Sequence, residues 1–193
     1  MSPPPRSDNT APTDPLAEYS TEERSLLLTV AHRSIEATLA GAELDVRAPS
    51  PHLEERRGAF TTLHLRCELR GCVGYVLPVY SLYRTIAEAA AAAAFNDVRF
   101  PSVTREEAPL LNIEISVLSP VRPIAAEEIE VGRHGLVITY GMRRGLLLPQ
   151  VPVEHGWDRL AFLAQTCLKA GAPPDAWQHG AVIEAFTAEV FGE

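Results

Sequence analysis

The chain has 193 residues, of which 46% are hydrophobic and 22% are charged, as in an ordinary globular protein. Its formal net charge is −8, and Lys and Arg form no long run, so generic binding to DNA or RNA is not expected. No apolar stretch approaches the roughly 20 residues of a membrane-spanning helix. We therefore expect a cytoplasmic protein whose three cysteines are reduced, without a membrane segment.

The N-terminal part of the chain divides into a tail and a first helix. Residues 1–15 contain five prolines and little to bury, which predicts a disordered tail before one folded domain over residues 16–193. Ser20 and Glu23 form a capping-box pattern that is typical of a helix start. Gly41 is suited to end that helix.

The next segments predict a loop, a hairpin and a second helix. Residues 47–58 carry two prolines and many charges, which indicates a surface loop. The segment "AFTTLHLRCELRGCVGYVLP" predicts two short strands around a turn near Leu65–Glu68. An alanine-rich helix follows, and its small side chains would allow close packing against a sheet. The predicted inward stripe is Leu82, Ile86, Ala89, Ala90 and Ala93.

The C-terminal half also mixes strands and helices. Residues 110–120 alternate in polarity, which predicts a strand, and Gly141–Gly145 marks a hairpin turn. An amphipathic helix then ends at Gly171, and "AVIEAFTAEVF" predicts one last strand. Because hairpins outnumber crossovers, we predict an α+β fold of mainly antiparallel sheet with flanking helices. The inward residues predicted for the amphipathic helix are Trp157, Leu160, Ala161, Ala164 and Leu168.

The stretch "ELRGCVGY", residues 68–75, carries the clearest candidate for chemistry. Arg70 could favour the thiolate of Cys72, the reactive form of cysteine, while Gly71 and Gly74 would leave room for an incoming group. Residues 70 and 72 share a face only if the strand is regular there. The alternative is a small buried cysteine beside a glycine kink, because free cysteine is among the most buried residue types.

Three polar residues outside this stretch are candidates for ligand contact. Asp97 and Arg99 follow the alanine-rich helix, where they could cap its end, form a local ion pair or line a cleft. Glu114 lies on the polar face of its strand and is expected to face water or the mouth of a groove.

A loop before the amphipathic helix combines an amide, a carboxylate, an imidazole and an indole, which is typical of a ligand-binding edge. These residues are Gln150, Glu154, His155 and Trp157. The alternative is that Glu154 or Asp158 only favours the helix N-terminus electrostatically. His134 or His155 could approach Cys72 as a base. No metal site is predicted, because no Cys/His pair matches Cys67 and Cys72 at zinc-ligand spacing.

The quoted stretch also resembles a known signature. "LRGCVGYVLP" is similar to the LRGCIG motif of the AMMECR domain family, whose bacterial and archaeal members are called AmmeMemoRadiSam system protein A. "GAFTTLH", "AAFNDVRFPSV", "IEISVLSP" and "GRHGLVI" resemble family segments in the expected order, and the likeness extends from about Tyr19 onward. Val73 replaces the usual Ile, and Cys67 stands where glycine is common.

The resemblance implies an α+β fold in two unequal subdomains, with a cleft between them near the signature segment. It also implies a pathway shared with a Memo-like protein and a radical S-adenosylmethionine enzyme. It implies no reaction and no cofactor. Two functions stay open: a protein that binds a small ligand in the cleft, with Cys72 as a nucleophile, or a non-catalytic adaptor for a protein or nucleic acid.

Overall fold

A computed structural model describes residues 17–193, so the tail predicted for residues 1–15 lies outside the described residues. The helices are α1 (Thr21–Ala40), α2 (Pro51–Glu54), α3 (Leu82–Phe95), α4 (Gln150–Glu154) and α5 (Arg159–Lys169). The strands are β1 (Ala59–Leu65), β2 (Glu68–Tyr75), β3 (Leu111–Leu118), β4 (Arg122–Pro123), β5 (Gly135–Tyr140), β6 (Arg143–Leu147), β7 (Val182–Phe186) and β8 (Ala188–Gly192). Three 3₁₀ turns cover Ala108–Leu110, Ala126–Glu128 and Ala176–Gln178.

The strands form two four-stranded sheets. The first sheet has the order β2-β1-β3-β8 and the second has the order β4-β7-β5-β6, with antiparallel pairing throughout. The predicted α+β fold of mainly antiparallel sheet is therefore confirmed. No helix within residues 17–193 is both long and apolar enough to cross a membrane.

The first sheet packs one face against α1 and α3. Helix α1 begins with the predicted capping box, in which Ser20 and Glu23 bind each other's backbone N–H groups, and ends at Gly41 with a φ of 66°. The predicted alanine stripe of α3 is buried against the sheet. On β3 the apolar residues face the helices and the polar residues face away, as the alternation predicts. The sequence pattern therefore predicted α1, α3 and β3 correctly.

The predicted single last strand is wrong, because the segment forms two strands in different sheets. Strand β7 belongs to the second sheet and β8 to the first. Thr187 lies between them, and its N–H donates to Ser119 Oγ at 3.0 Å while its carbonyl accepts from the Ser119 N–H at 2.9 Å. The crossing carries no glycine or proline, so the sequence gives no sign of a break.

The predicted inward face of α5 is also wrong. Leu160 and Leu168 are 55% and 50% exposed, and Trp157 precedes the helix, whose first residue is Arg159. The buried residues of α5 are instead Phe162, Leu163, Thr166 and Cys167. The predicted set and the buried set both have helical spacing. The set that contains Phe162 offers the larger apolar side chains, and it is the one that packs against the second sheet.

Two smaller differences concern loops. The loop predicted over residues 47–58 contains the short helix α2, which starts where Ser50 accepts a hydrogen bond from the N–H of Leu53. The hairpin turn predicted at Gly141–Gly145 is tighter, because β6 already begins at Arg143. A third apolar cluster, centred on Leu118, joins the two sheets.

Candidate functional site

A one-residue bulge decides where Cys72 points. Leu65 pairs with Glu68 and His64 with Leu69. Leu63, the residue before His64, then pairs with Gly71 and not with Arg70. Arg70 is therefore an extra residue on β2, and Cys72 pairs with Thr62 instead of Thr61. Thr61 is fully buried on the face that packs against α1 and α3. The bulge thus places Cys72 on the opposite face of the first sheet, which we call the open face.

The loop after α3 holds the backbone of Cys72 from the edge of the sheet. Asp97 Oδ2 accepts a hydrogen bond from the Cys72 N–H at 2.9 Å, and Arg99 Nη2 donates to the Cys72 carbonyl at 3.2 Å. Arg99 also binds the Asp97 carboxylate at 2.7 Å, and the Asp97 side chain is only 6% exposed. Together the two side chains occupy both outward backbone groups of Cys72.

The same contacts shift the pKa values of Asp97 and Arg99. The hydrogen bond from Arg99 holds the pKa of Asp97 well below its usual range, against the opposing effect of burial, and the Cys72 N–H adds to the lowering. Asp97 in turn raises the pKa of the Arg99 guanidinium. Asp97 and Arg99 therefore form a charged pair beside Cys72.

The thiol of Cys72 has polar neighbours, of which sequence reasoning named Glu114 but missed Thr62 and His64. Thr62 Oγ1 donates to Cys72 Sγ at 3.3 Å, and the thiol is half-buried. His64 lies two residues further on the same face of β1, and Glu114 of β3 pairs with Thr62 on its other side. The alternation of Thr62 and His64 with leucines in "TTLHL" could have indicated that these two side chains share the polar face of β1.

Arg70 binds away from the thiol. Its guanidinium donates to both carboxylate oxygens of Glu107, at 3.2 and 3.0 Å, and to the carbonyls of Pro101 and Ser102. The side chain is only 11% exposed. The hydrogen bond from Arg70 lowers the pKa of Glu107, helped by the N–H of Thr104. Arg70 thus fastens the bulge to the loop that precedes β3, and Arg99 is the cation that contacts Cys72.

The two glycines of the signature make room for the protein itself. A Cβ on Gly71 would overlap the carbonyl oxygen of Ala93 in α3, and a Cβ on Gly74 would overlap the ring of Phe60. Close approach of helix α3 and of the Phe60 ring therefore accounts for glycine at both positions.

The remaining predicted residues lie elsewhere. Gln150 and Glu154 line a groove of about 820 Å³ between β8 and α4, and no residue of 68–75 lines it. The ring of His155 stacks on Trp157 with a centroid distance of 4.6 Å. His134 Nδ1 accepts from the Glu130 N–H at 3.0 Å in the turn before β5. The structure therefore joins Cys72, Asp97 and Arg99 but separates them from the C-terminal candidates.

One group of side chains has the spacing of metal ligands. Ligand atoms of Glu18, His52 and Glu55 all lie within 4.8 Å of one another. Arg57 Nη2, however, binds the Glu18 carboxylate at 2.6 Å and the Glu55 carboxylate at 2.9 Å. A guanidinium thus occupies the position of a cation between the two carboxylates, and the group is an ion-pair cluster.

Comparison with known proteins identifies the family. The sequence model of the AMMECR1 family matches residues 28–191. The chain belongs to the AMMECR1 family. It is similar to protein MJ0810 of Methanocaldococcus jannaschii, with 44% identity over 89% of this chain and 90% of that protein. A Thermococcus gammatolerans relative is 48% identical over 74% of this chain and 76% of its own length.

A solved structure supports the fold. The crystal structure of the uncharacterised protein PH0010 from Pyrococcus horikoshii matches this AMMECR1 chain with a TM-score of 0.73 and 43% identity. The match covers 86% of this chain and 89% of that one. The family resemblance that the LRGCVG segment suggested is therefore confirmed.

Proposed function

We propose that this AMMECR1-family chain binds a small polar ligand on the open face of the first sheet, with Cys72 as the reactive group. The observation that carries the proposal is the bulge at Arg70, which turns Cys72 away from the helix-packed face. Bulges recur beside active sites, where they redirect a side chain. A structural cysteine would not need this device, because the regular register would place it opposite buried Thr61.

The surroundings of Cys72 suit a nucleophile. Asp97 and Arg99 fix its backbone, so the thiol has a defined position. The Thr62 hydroxyl donates to the sulfur and so helps to hold it in one position. A thiolate can add to the carbonyl carbon of a ligand: the carbon–sulfur bond forms, the carbon–oxygen π bond breaks, and its electron pair moves to the oxygen, which then takes a proton. His64, which lies two residues beyond Thr62 on the same face of β1, is the candidate base.

The adaptor function stays the alternative, and it requires no reactive thiol. Participation in a pathway with Memo-like and radical S-adenosylmethionine proteins is a further proposal that rests on the family resemblance alone. The proposed ligand site also differs in place from the groove that Gln150 and Glu154 line. We therefore propose a ligand that contacts Cys72 and does not reach Gln150 or Glu154.

Labelling of the native protein with iodoacetamide, followed by peptide mass mapping, tests the proposal. Cys72 should react faster than exposed Cys67, although Cys72 is the more buried of the two. Cys167 should not react, because it is fully buried and burial raises the pKa of its thiol. Thr62→Val should slow the labelling of Cys72 several-fold and leave Cys67, the internal control, unchanged.

Two results would count against the proposal. If Cys72 is the slowest of the three thiols, its position on the open face has no chemical use. If Thr62→Val leaves the Cys72 rate unchanged, the contact of the hydroxyl with the sulfur does not contribute to reactivity. Conversely, a covalent mass adduct on wild-type protein taken from cells, absent from Cys72→Ser, would identify the ligand directly.

A further inference from the structure

The outer edge of β8 presents backbone groups that the fold leaves unpaired. Two hydrogen bonds at the ends of β8 show which backbone groups turn toward β3. The Ser119 N–H donates to the Thr187 carbonyl at 2.9 Å, and the Glu193 N–H donates to the Ile113 carbonyl at 3.3 Å. The backbone groups of the odd-numbered residues of β8 therefore point toward β3. The N–H and C=O groups of the even-numbered residues therefore point outward. These residues are Ala188, Val190 and Gly192. Within residues 17–193 no hydrogen bond occupies their outward groups.

The other sheet edges are protected. On β2 the side chains of Asp97 and Arg99 occupy the outward groups of Cys72. Strand β4 has two residues and ends in Pro123, and β6 carries the exposed Arg143 and Arg144. Short strands, proline and charge are the usual means by which proteins prevent edge-to-edge pairing. On β8 the three residues whose backbone groups point outward are small or apolar, and the one charged residue, Glu189, has its backbone groups turned toward β3.

A trough runs along this edge. Residues 188–190 border the groove of about 820 Å³, and Phe191 and Gly192 border an adjoining groove of about 480 Å³. Arg24 of α1 lines both grooves, so the two lie side by side at this residue. Helix α1 forms one wall and α4 forms the wall at the other end. Together the two grooves are lined by all five residues of β8.

The charge of the trough indicates its occupant. Four carboxylates line it together with two guanidiniums and one imidazole; the residues are Glu18, Glu154, Glu189 and Glu193, with Arg24, Arg133 and His32. Glu18 is bound to Arg57 at 2.6 Å, Glu189 to Arg24 at 2.9 Å and Glu193 to His32 at 3.0 Å. Glu154 is the lining carboxylate that makes no ion pair within residues 17–193. A second copy of a chain with net charge −8 would add like charge. A basic partner would be attracted.

We propose that the β8 edge binds an extended basic segment of another protein, which adds a fifth strand to the first sheet through the outward backbone groups of Ala188, Val190 and Gly192. Main-chain pairing supplies the affinity in such strand addition, and the flanking side chains supply the preference. This surface is separate from Cys72, which lies on the opposite edge strand of the same sheet. The two proposals can therefore fail independently.

Fluorescence anisotropy with a short labelled peptide of alternating lysine and valine tests the proposal. The matched control is the same peptide with alternate backbone nitrogens methylated, which keeps the charge but removes the pairing donors. We expect the methylated peptide to bind about tenfold more weakly, as for the loss of two main-chain hydrogen bonds. Binding should also slow hydrogen exchange of the Val190 N–H and leave the Cys72 N–H unchanged.

Protein variants provide the second measurement. Val190→Pro removes one outward donor and is tolerated on edge strands, so it should weaken binding about threefold, whereas Val190→Thr keeps the N–H and should bind like the wild type. Equal affinity of both peptides, or unchanged exchange at Val190, would overturn the proposal. So would tighter binding after deletion of residues 1–16, which would make the chain's own segment the occupant. Dimerisation that Val190→Pro abolishes would assign the edge to a second copy instead.

Discussion

Asp97 Oδ2 accepts a hydrogen bond from the backbone N–H of Cys72 at 2.9 Å, across 25 residues of sequence. This contact ties the outer edge of β2 to the loop after α3. It satisfies a backbone donor that would otherwise be open to another strand. It also fixes the peptide that carries the candidate nucleophile, so one carboxylate serves both the fold and the site.

Asp97→Asn should therefore destabilise the protein at neutral pH by about 2 kcal/mol, the size expected for a buried, charge-assisted hydrogen bond. The folded state holds the pKa of Asp97 below its unfolded value near 4, so the stabilisation is present above that pH. It is lost as the pH falls through the folded pKa. Urea denaturation at pH 7 and pH 3 should show the difference between wild type and variant shrinking in acid.

Asp45 provides the matched control for this prediction. It forms the same kind of ion pair with Arg47, two residues later, but both side chains are exposed. Asp45→Asn should leave the urea midpoint unchanged at both pH values. If Asp97→Asn behaves like Asp45→Asn, the contact with Cys72 contributes nothing to stability.

The bulge residue yields a second prediction. Arg70→Ala would leave Glu107 and the carbonyls of Pro101 and Ser102 without their donor, so the free energy of unfolding should fall by about 3 kcal/mol. The rate at which Cys72 reacts with iodoacetamide should change less than in Arg99→Ala, because Arg99 is the cation bound to the Cys72 carbonyl. A larger rate change in Arg70→Ala would restore Arg70 as the activating group.

Local signals explain what could be predicted from the sequence. The capping box of Ser20, the alternation of β3 and the small residues of α3 are each encoded within a few neighbouring positions, and each is found as expected. The turn between β1 and β2 was also placed correctly. These elements depend on spacing within one segment, which a single sequence displays.

The position of Cys72 could not be predicted in the same way. A two-residue turn that pairs Leu65 with Glu68 would, in regular register, place Cys72 opposite Thr61 on the helix-packed face. The bulge is stabilised by Glu107 and by the carbonyl groups of Pro101 and Ser102, which are distant in sequence. The division of β7 and β8 between sheets likewise depends on pairing with Ser119. Such tertiary contacts leave no local pattern.

The turn between β1 and β2 leads to a third prediction. Arg66 and Cys67 have φ values of 53° and 68°, a conformation that costs a side-chain-bearing residue energy and that glycine adopts freely. Cys67→Gly should raise the free energy of unfolding by about 0.5 to 1 kcal/mol, after allowance for the added freedom of the unfolded chain. Cys67→Ala removes the thiol but keeps the strain. If both variants are equally stable, backbone strain is not the cause.

A fourth prediction tests the corrected face of α5 with one residue type. Leu163 is fully buried and Leu168 is 50% exposed on the same helix. Leu163→Ala should cost about 3 kcal/mol, because it leaves a cavity in the core of the second sheet, whereas Leu168→Ala should cost less than about 1 kcal/mol. Equal costs in urea denaturation would favour the face that the sequence pattern suggested.

The last prediction distinguishes two reasons for glycine at position 71. If Gly71 only gave a ligand access to Cys72, then Gly71→Ala would preserve stability and impair binding. In the structure an added Cβ would overlap the carbonyl oxygen of Ala93, a backbone atom that can move only with α3. We therefore expect Gly71→Ala to cost about 3 kcal/mol or more in urea denaturation. Gly41→Ala should cost only about 1 kcal/mol, since its φ of 66° is strained but its surroundings are open. A Gly71→Ala protein as stable as Gly41→Ala would show that α3 can withdraw from β2, and access to the thiol would then be the better account of the glycine.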